Sequence, residues 1–153
     1  ISYGYKYLIT KDIIDIFKGK IINLHISFLP FNRGCYPNLW SHLEGSPSGV
    51  TIHFINEQID GGEILLQKKV EIDPEKHSFR SSYLILRKEI EILLKSNWKF
   101  IKFGEIPGKI SINKGSYKNK KDGDEILQLF DEGWDTKISK AIKIIKNYKL
   151  KNS

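Results

Sequence analysis

Between Ile21 and Leu29 apolar and polar residues alternate, with Ile22, Leu24, Ile26 and Phe28 in one register and Asn23, His25 and Ser27 in the other. Side chains alternate across a strand, so the pattern predicts one face for a core and an opposite face presenting an amide, an imidazole and a hydroxyl together. Leu29-Pro30 ends this strand. Ile1 to Ile9, aromatic and β-branched, reads as an earlier strand, and Thr10 as the cap of a short helix, Lys11 to Phe17, with Ile13, Ile14 and Phe17 on one side and Gly19 closing it. Pro30 to Gly49 is turn-rich, with a short helix over 38–44. Gly49 to Ile55 and Glu63 to Ile72 alternate again and read as neighbouring strands joined through a loop holding Asp60. Ser78 caps a long helix to about Phe103, in which Tyr83, Leu86, Ile90, Leu93, Leu94 and Trp98 recur at three and four and form one apolar face. Gly104 to Asp124 is polar and lysine-rich and reads as a loop or extended arm; Glu125 to Phe130 and Lys137 to Tyr148 read as helices. Strands mixed with helices predict a layered α/β architecture.

Composition adds limits. The 153 residues suit a single domain over 1–153, and 40% hydrophobic with 28% charged residues is ordinary for a globular chain. No apolar run approaches the roughly 20 residues that span a bilayer, and ISYGYKYLI has neither the basic start nor the apolar stretch of a signal peptide. One cysteine, Cys35, excludes an internal disulfide and points to a reducing cytoplasm. The net charge of +7 is uneven, with 11 lysines against 6 acidic residues from Ile106 to Ser153. That bias would suit an anionic substrate or nucleic acid, but a solvated lysine-rich surface is the favoured reading. The chain has no methionine and starts at Ile1 inside a strand-like segment, which predicts a fragment or processed product.

The candidate chemistry gathers around the first alternation. His25 fits a satisfied core histidine or a catalytic one; Asn23 and Ser27 on its face, beside a Pro- and Gly-rich loop, favour chemistry. Asp60, between Ile59 and Gly61-Gly62, fits a turn residue or a carboxylate delivered to a site. Amide, imidazole and carboxylate together would make an acid/base site with an oxyanion donor. His53 shares a strand face with Thr51 and fits a structural hydrogen bond, while Arg33 before Gly34 would bind an anion or pin its loop. His42 and His77 suggest no role. HExxH, CxxC, P-loop and GxGxxG spacings do not occur, so no metal is expected, and Cys35 opens no nucleophile turn that would pair it with His25.

The order Asn23-x-His25-x-Ser27-x-Leu29-Pro30, Arg33-Gly34, Gly49-Val50-Thr51-x-His53, Ile59-Asp60-x-Gly62 and Gln67 resembles the formyltetrahydrofolate-dependent formyltransferases. That family includes glycinamide ribonucleotide transformylase, methionyl-tRNA formyltransferase and the sugar N-formyltransferases. The match is dense over about residues 1–103 and faint beyond. It implies a Rossmann-like core with a mainly parallel sheet flanked by helices, in a single catalytic domain with its core at 1–103 and a basic arm with helices at 104–153. Family members carry a further N-terminal half of the sheet, so the resemblance also implies that N-terminal strands are missing and that this is the C-terminal part of the domain.

The same resemblance implies roles. Asn23 would hold the formyl oxygen, His25 would supply a second electrostatic or proton-donating contact, and Asp60 would orient His25 and manage the proton leaving the attacking amine. Tyr5, Lys6, Tyr7 and Leu8, with Glu57, Gln58 and Ile59, match the parts that cradle the pterin of N10-formyltetrahydrofolate, the formyl donor. Ser27, His53 and Arg33 would support the site. Ile26 stands where the family usually has proline, and Gly61 where it often has threonine or alanine. Only some fifty residues follow the long helix, too few for the barrel domain of the tRNA enzyme. Together with the PNLWSHLEGSPSGVTIH stretch this favours a small acceptor, a nucleotide-linked amino sugar, over glycinamide ribonucleotide or methionyl-tRNA. A formyltetrahydrofolate hydrolase and a non-catalytic folate-binding fragment are the other readings. Nucleic acid and membrane are not expected as partners, and small members of the family often pair as homodimers.

Overall fold

The computed structural model describes residues 1–112 and 115–151. Asn113 and Lys114, inside the stretch read as a polar arm, and Asn152 and Ser153 at the end of the expected domain lie outside the described residues. The first alternation becomes strand β1 (Ile22–His25), shorter than the pattern suggested. It pairs with β3 (Gly49–Phe54), which pairs with β4 (Ile64–Lys69), in the order β1-β3-β4. Both pairings are antiparallel, with Asn23 opposite His53, His25 opposite Thr51 and Thr51 opposite Gln67. This corrects the expectation of a mainly parallel sheet. The connection at 55–63 is too short for the crossover that a parallel pair requires, so β3 returns directly as β4. Parallel pairing occurs at the single bridge from Ser2 to Asn23 and between two two-residue strands, β2 (Arg33–Gly34) and β5 (Tyr117–Lys118).

The expected strand over Ile1–Ile9 is reduced to that one bridge, in which Ser2 N donates to Ile22 O and Leu24 N donates to Ser2 O. Gly4 then turns the chain away at φ +65°, leaving Tyr5, Tyr7 and Leu8 exposed. Two parallel neighbours that part at their carboxyl ends leave a crevice, the place where open α/β sheets bind ligands. Helix α1 (Lys11–Ile16) follows, with Thr10 extended at its N-cap and no side-chain cap bond. Of its expected apolar side only Ile14 is buried; Ile13 and Phe17 stay exposed.

Helix α2 (Pro37–Glu44) starts from Tyr36, held in the left-handed region at φ +53°. Helix α3 (Phe79–Lys102) matches its predicted span. Its capping box uses serine at both positions: Ser81 N donates to Ser78 Oγ at 3.2 Å and Ser78 N donates to Ser81 Oγ at 2.9 Å. Leu86 and Ile90 on α3 pack against Ile22, Leu24, Val50, Ile52 and Leu65 of the sheet. Tyr83 and Trp98, at the ends of the same predicted face, remain largely exposed.

Residues between 126 and 145 contribute to a second core. Leu39 and Phe79 pack there with Phe130 and with Ile138, Ala141 and Ile145 of α5 (Ile138–Lys151). Helix α4 (Lys120–Leu127) begins five residues before the predicted one, because Asn119 caps it by accepting from Asp122 N at 2.9 Å. The Tyr36 ring lies on Gly123 of α4, where an added Cβ would sit 2.2 Å from it, and its hydroxyl donates to Asp124 at 2.7 Å. A 3-10 turn, Gly133–Asp135, carries Trp134 onto the same ring.

Two outcomes follow. Leu86→Ala should cost about 2–5 kcal/mol of unfolding free energy in urea titration, while Ile112→Ala, fully exposed, should change it by less than about 0.5 kcal/mol. Burial, and secondarily the nearby His77, pushes the His42 imidazole down to about 4. The unfolded chain therefore binds a proton that the folded one refuses between pH 6.5 and 4. Stability is complete above 6.5 and is lost as pH falls through that window, by on the order of 2–3 kcal/mol from this residue. Thermal unfolding of His42→Gln across those pH values should show a flatter profile than wild type.

Candidate active site

The register of β1 and β3 sets Asn23 beside His53, and the loop between β3 and β4 swings Asp60 up to both. Asn23 Nδ2 donates to Asp60 Oδ1 at 3.1 Å and lies 3.3 Å from His53 Nε2. Asp60 Oδ2 accepts from Gly34 N at 2.9 Å and sits 3.6 Å from His25 Nδ1. Asp60 Oδ1 is 3.5 Å from His53 Nε2. The two imidazoles meet edge to face with centroids 6.3 Å apart.

Asp60 occupies the left-handed region at φ +47°, a conformation that a non-glycine residue holds only where its surroundings over-determine it. Gly61 N donates to Gln58 O, and Asn56 braces both ends of the loop, accepting from Gln58 N at 3.0 Å and donating to Gly61 O at 3.2 Å. Gly62 passes so close to β3 that an added Cβ would fall 1.8 Å from Phe54 O. The glycine pair expected from sequence thus lets the loop lie against its own strand.

Hydrogen-bond partners assign the protons. His53 Nδ1 lies 2.7 Å from Phe54 O, and a carbonyl only accepts, so Nδ1 carries the hydrogen and Nε2 receives Asn23. By the same logic His25 Nε2 donates to Asn32 O at 3.1 Å, which leaves the Nδ1 lone pair facing Asp60. Burial pushes the His25 pKa down, against the attraction of Asp60, which raises it, with His53 lowering it further. For Asp60, burial alone would raise the pKa; the positive charge that His25 carries when protonated and the hydrogen bond from the Gly34 N–H hold it well below the usual carboxylate range. The result is a neutral imidazole whose free lone pair points at an anion. A proton arriving at Nδ1 would find a counter-ion already in place.

These groups open into a cavity of about 380 Å³, within the range of small-molecule sites. Asn23, His25, His53 and Asp60 line it, as do Tyr5, Lys6, Tyr7, Leu8, Gln58 and Ile59. Three of the expected residues do not. Glu57 is exposed and turns toward Lys11, 3.9 Å away. Ser27 is buried and donates to Phe31 O at 2.8 Å, so it braces the loop that follows β1. Arg33 has a buried Nε without a hydrogen-bond partner among the described residues and contributes its backbone to β2.

Sequence reasoning missed Asn32 and the strand that covers it. Asn32 is buried, offers its carbonyl to His25, donates to Ser46 at 2.7 Å and receives Ser116 Oγ at 3.3 Å. It takes a left-handed φ of +57°, a region asparagine tolerates, so an asparagine in a turn-rich stretch was the one signal the sequence offered. Behind the site Thr51 Oγ1 donates to Ser27 O at 2.7 Å and accepts from Leu29 N and Gln67 Nε2, which ties the end of β1 to both neighbouring strands. Among the described residues no three His, Cys, Asp or Glu side chains gather as a metal site, and no helix is long and apolar enough to cross a membrane.

A family model described as formyl transferase matches residues 1–96. The chain belongs to the formyl transferase family. Within it, the chain is similar to the crystal structure of the formyltransferase PseJ from Anoxybacillus kamchatkensis, in complex with UDP-4,6-dideoxy-4-formamido-L-AltNAc and tetrahydrofolate. The identity is 46% and the TM-score 0.86, covering 92% of this chain and 74% of that one. It is 31% identical over 110 residues to dTDP-4-amino-4,6-dideoxyglucose formyltransferase of Mycobacterium tuberculosis, covering 72% of this chain and 47% of that protein. It is 36% identical over 107 residues to the methionyl-tRNA formyltransferase of Fusobacterium nucleatum, covering 69% of this chain and 34% of that protein. The chain thus spans about half the length of the mycobacterial relative. The fold is the Rossmann-like α/β fold of the formyltransferases, here with its described three-stranded sheet antiparallel.

Because Asp60 raises the His25 pKa, Asp60→Asn should shift the His25 imidazole titration to lower pH. An NMR pH titration of the ring protons reads this directly; an unchanged or higher pKa would contradict the electrostatic account.

Proposed function

We propose that the protein transfers a formyl group from N10-formyltetrahydrofolate to the primary amine of a nucleotide-linked amino sugar. The observation that carries this reading is the coincidence of the Asn23–His25–Asp60 cluster with likeness to PseJ over 92% of the chain, well past the 96 residues shared with the family at large. PseJ is in complex with a UDP-linked formamido sugar and tetrahydrofolate, and a diphosphate-bearing acceptor suits a chain of net charge +7.

The formyl donor, when bound, presents a carbonyl carbon whose oxygen gains negative charge as the amine adds. Tyr5, Lys6, Tyr7, Leu8, Gln58 and Ile59, all on the cavity wall, would hold its ring. Both Asn23 amide hydrogens are engaged in this structure, at 3.1 Å to Asp60 and 3.3 Å to His53. The developing oxyanion takes the second, since a charge-assisted hydrogen bond is roughly twice as strong as a neutral one. His25 Nδ1 would receive the proton released by the amine, directly or through water, with Asp60 stabilising the imidazolium, and would return it to N10 as the bond from the formyl carbon to N10 breaks and tetrahydrofolate leaves. Asp60 keeps the Asn23 amide oriented while the bond to His53 is exchanged for the oxyanion. The cytoplasm, where a lone cysteine such as Cys35 stays reduced, is the compartment this reading assigns.

The test is a panel of UDP- and dTDP-linked amino sugars, glycinamide ribonucleotide and methionyl-tRNA, each with N10-formyltetrahydrofolate, and the donor with no amine. Turnover should occur with a sugar nucleotide; turnover confined to the tRNA, or formate release without an amine, would overturn the reading. Asn23→Ala should lower kcat by about 10²–10³.

A further inference from the structure

We propose that Tyr117 is a specificity-determining residue, its ring and hydroxyl forming the wall of the cavity that recognises the acceptor sugar. The inference rests on the proposed function and adds which part of the chain selects the amine. Tyr117 lines the same cavity as Asn23, His25 and Asp60, yet lies beyond the 96 residues that match the family model. Tyr117 is carried by a segment outside that match.

The backbone around Tyr117 is fixed. Ser116 N donates to Pro30 O at 3.2 Å, Arg33 N donates to Ser116 O at 3.0 Å and Cys35 N donates to Lys118 O at 2.9 Å. Asn32 N donates to Ser116 Oγ at 2.8 Å. The ring rests on Gly34, which takes φ +91°, and a Cβ there would meet Tyr117 Cε2 at 2.9 Å and Lys118 O at 2.2 Å. Gly34 N–H is the donor to Asp60 Oδ2. The aromatic face is therefore anchored one peptide away from the reacting cluster.

This anchoring brings the side chain no internal contact of matching strength. Tyr117 is 50% exposed, and its hydroxyl has no hydrogen-bond partner among the described residues. A half-exposed aromatic ring on a pinned strand at a cavity rim suits a ligand with C–H faces and hydroxyls, as a pyranose has. The donor would be held by Tyr5 to Leu8 and by Gln58 and Ile59, whereas Tyr117 enters with Gly34 and Cys35. That placement assigns it to the acceptor.

The experiment compares wild type, Tyr117→Ala and Tyr117→Phe in formyl transfer to the UDP-linked 4-amino-4,6-dideoxy sugar corresponding to the PseJ ligand. KM is measured for both substrates, with thermal midpoints alongside. Tyr117→Ala should raise acceptor KM at least tenfold, with donor KM and midpoint near wild type, and Tyr117→Phe should fall between. Wild-type turnover with an unchanged acceptor KM in Tyr117→Ala, or a rise confined to donor KM, overturns the inference alone. Wild-type failure with every sugar nucleotide removes the functional reading and the inference with it.

Discussion

A carboxylate taken out of water persists as an anion only where donors and positive potential replace its hydration. Asp60 meets that condition through groups from three separate parts of the chain. The Gly34 N–H and the Asn23 amide donate to it, and the imidazoles of His25 and His53 on adjacent strands lie 3.6 and 3.5 Å away, where a proton taken up by either ring would meet it. Each of these groups is held by something else. Asn32 O holds His25, Phe54 O holds His53, and the β2–β5 pairing holds Gly34. The left-handed turn at Asp60 is the point where these restraints converge, and the loops at 28–34 and 55–61 hold it there.

The two cores divide the labour of support. Packing of α3 on the sheet fixes β1 and β3, and with them Asn23, His25 and His53. The second cluster, built from α2, α5, Phe79 and Phe130, fixes the segment after Tyr36 and the end of α4. Tyr36 packs against the second cluster, with its backbone in the left-handed region at the start of α2 and its ring held by Gly123 and Trp134. The loop from Phe28 to Tyr36 is thereby held at both ends, which suits a segment whose carbonyl and amide set the orientation of His25 and Asp60.

Period-two and period-three-to-four patterns were legible in the sequence because burial acts on them directly. The alternation at Asn23, His25 and Ser27, the span of α3 and the glycine bend at Asp60 all appear in the structure. Strand direction was not legible, since alternation is the same in either sense and the resemblance pointed to parallel pairing. Helix α4 was obscured because Lys120 to Asp124 has no apolar stripe; a cap and a contact from Tyr36 decide it instead. Asn32, Ser116 and Tyr117 act through partners up to 84 residues away in sequence, a distance across which no local pattern reports. Glu57 was grouped with its neighbours by position, yet it lies outside the cavity wall.

The β2–β5 ladder is only two residues long and is made by main-chain atoms. Main-chain pairing places few demands on side-chain identity, apart from the glycine that the close approach requires at position 34. Mutations can therefore accumulate on β5 while the strand stays docked and Gly34 keeps its bond to Asp60. Such a seam makes the rim of the site interchangeable without disturbing its floor, a division that would let one catalytic apparatus be re-addressed to new partners by small steps.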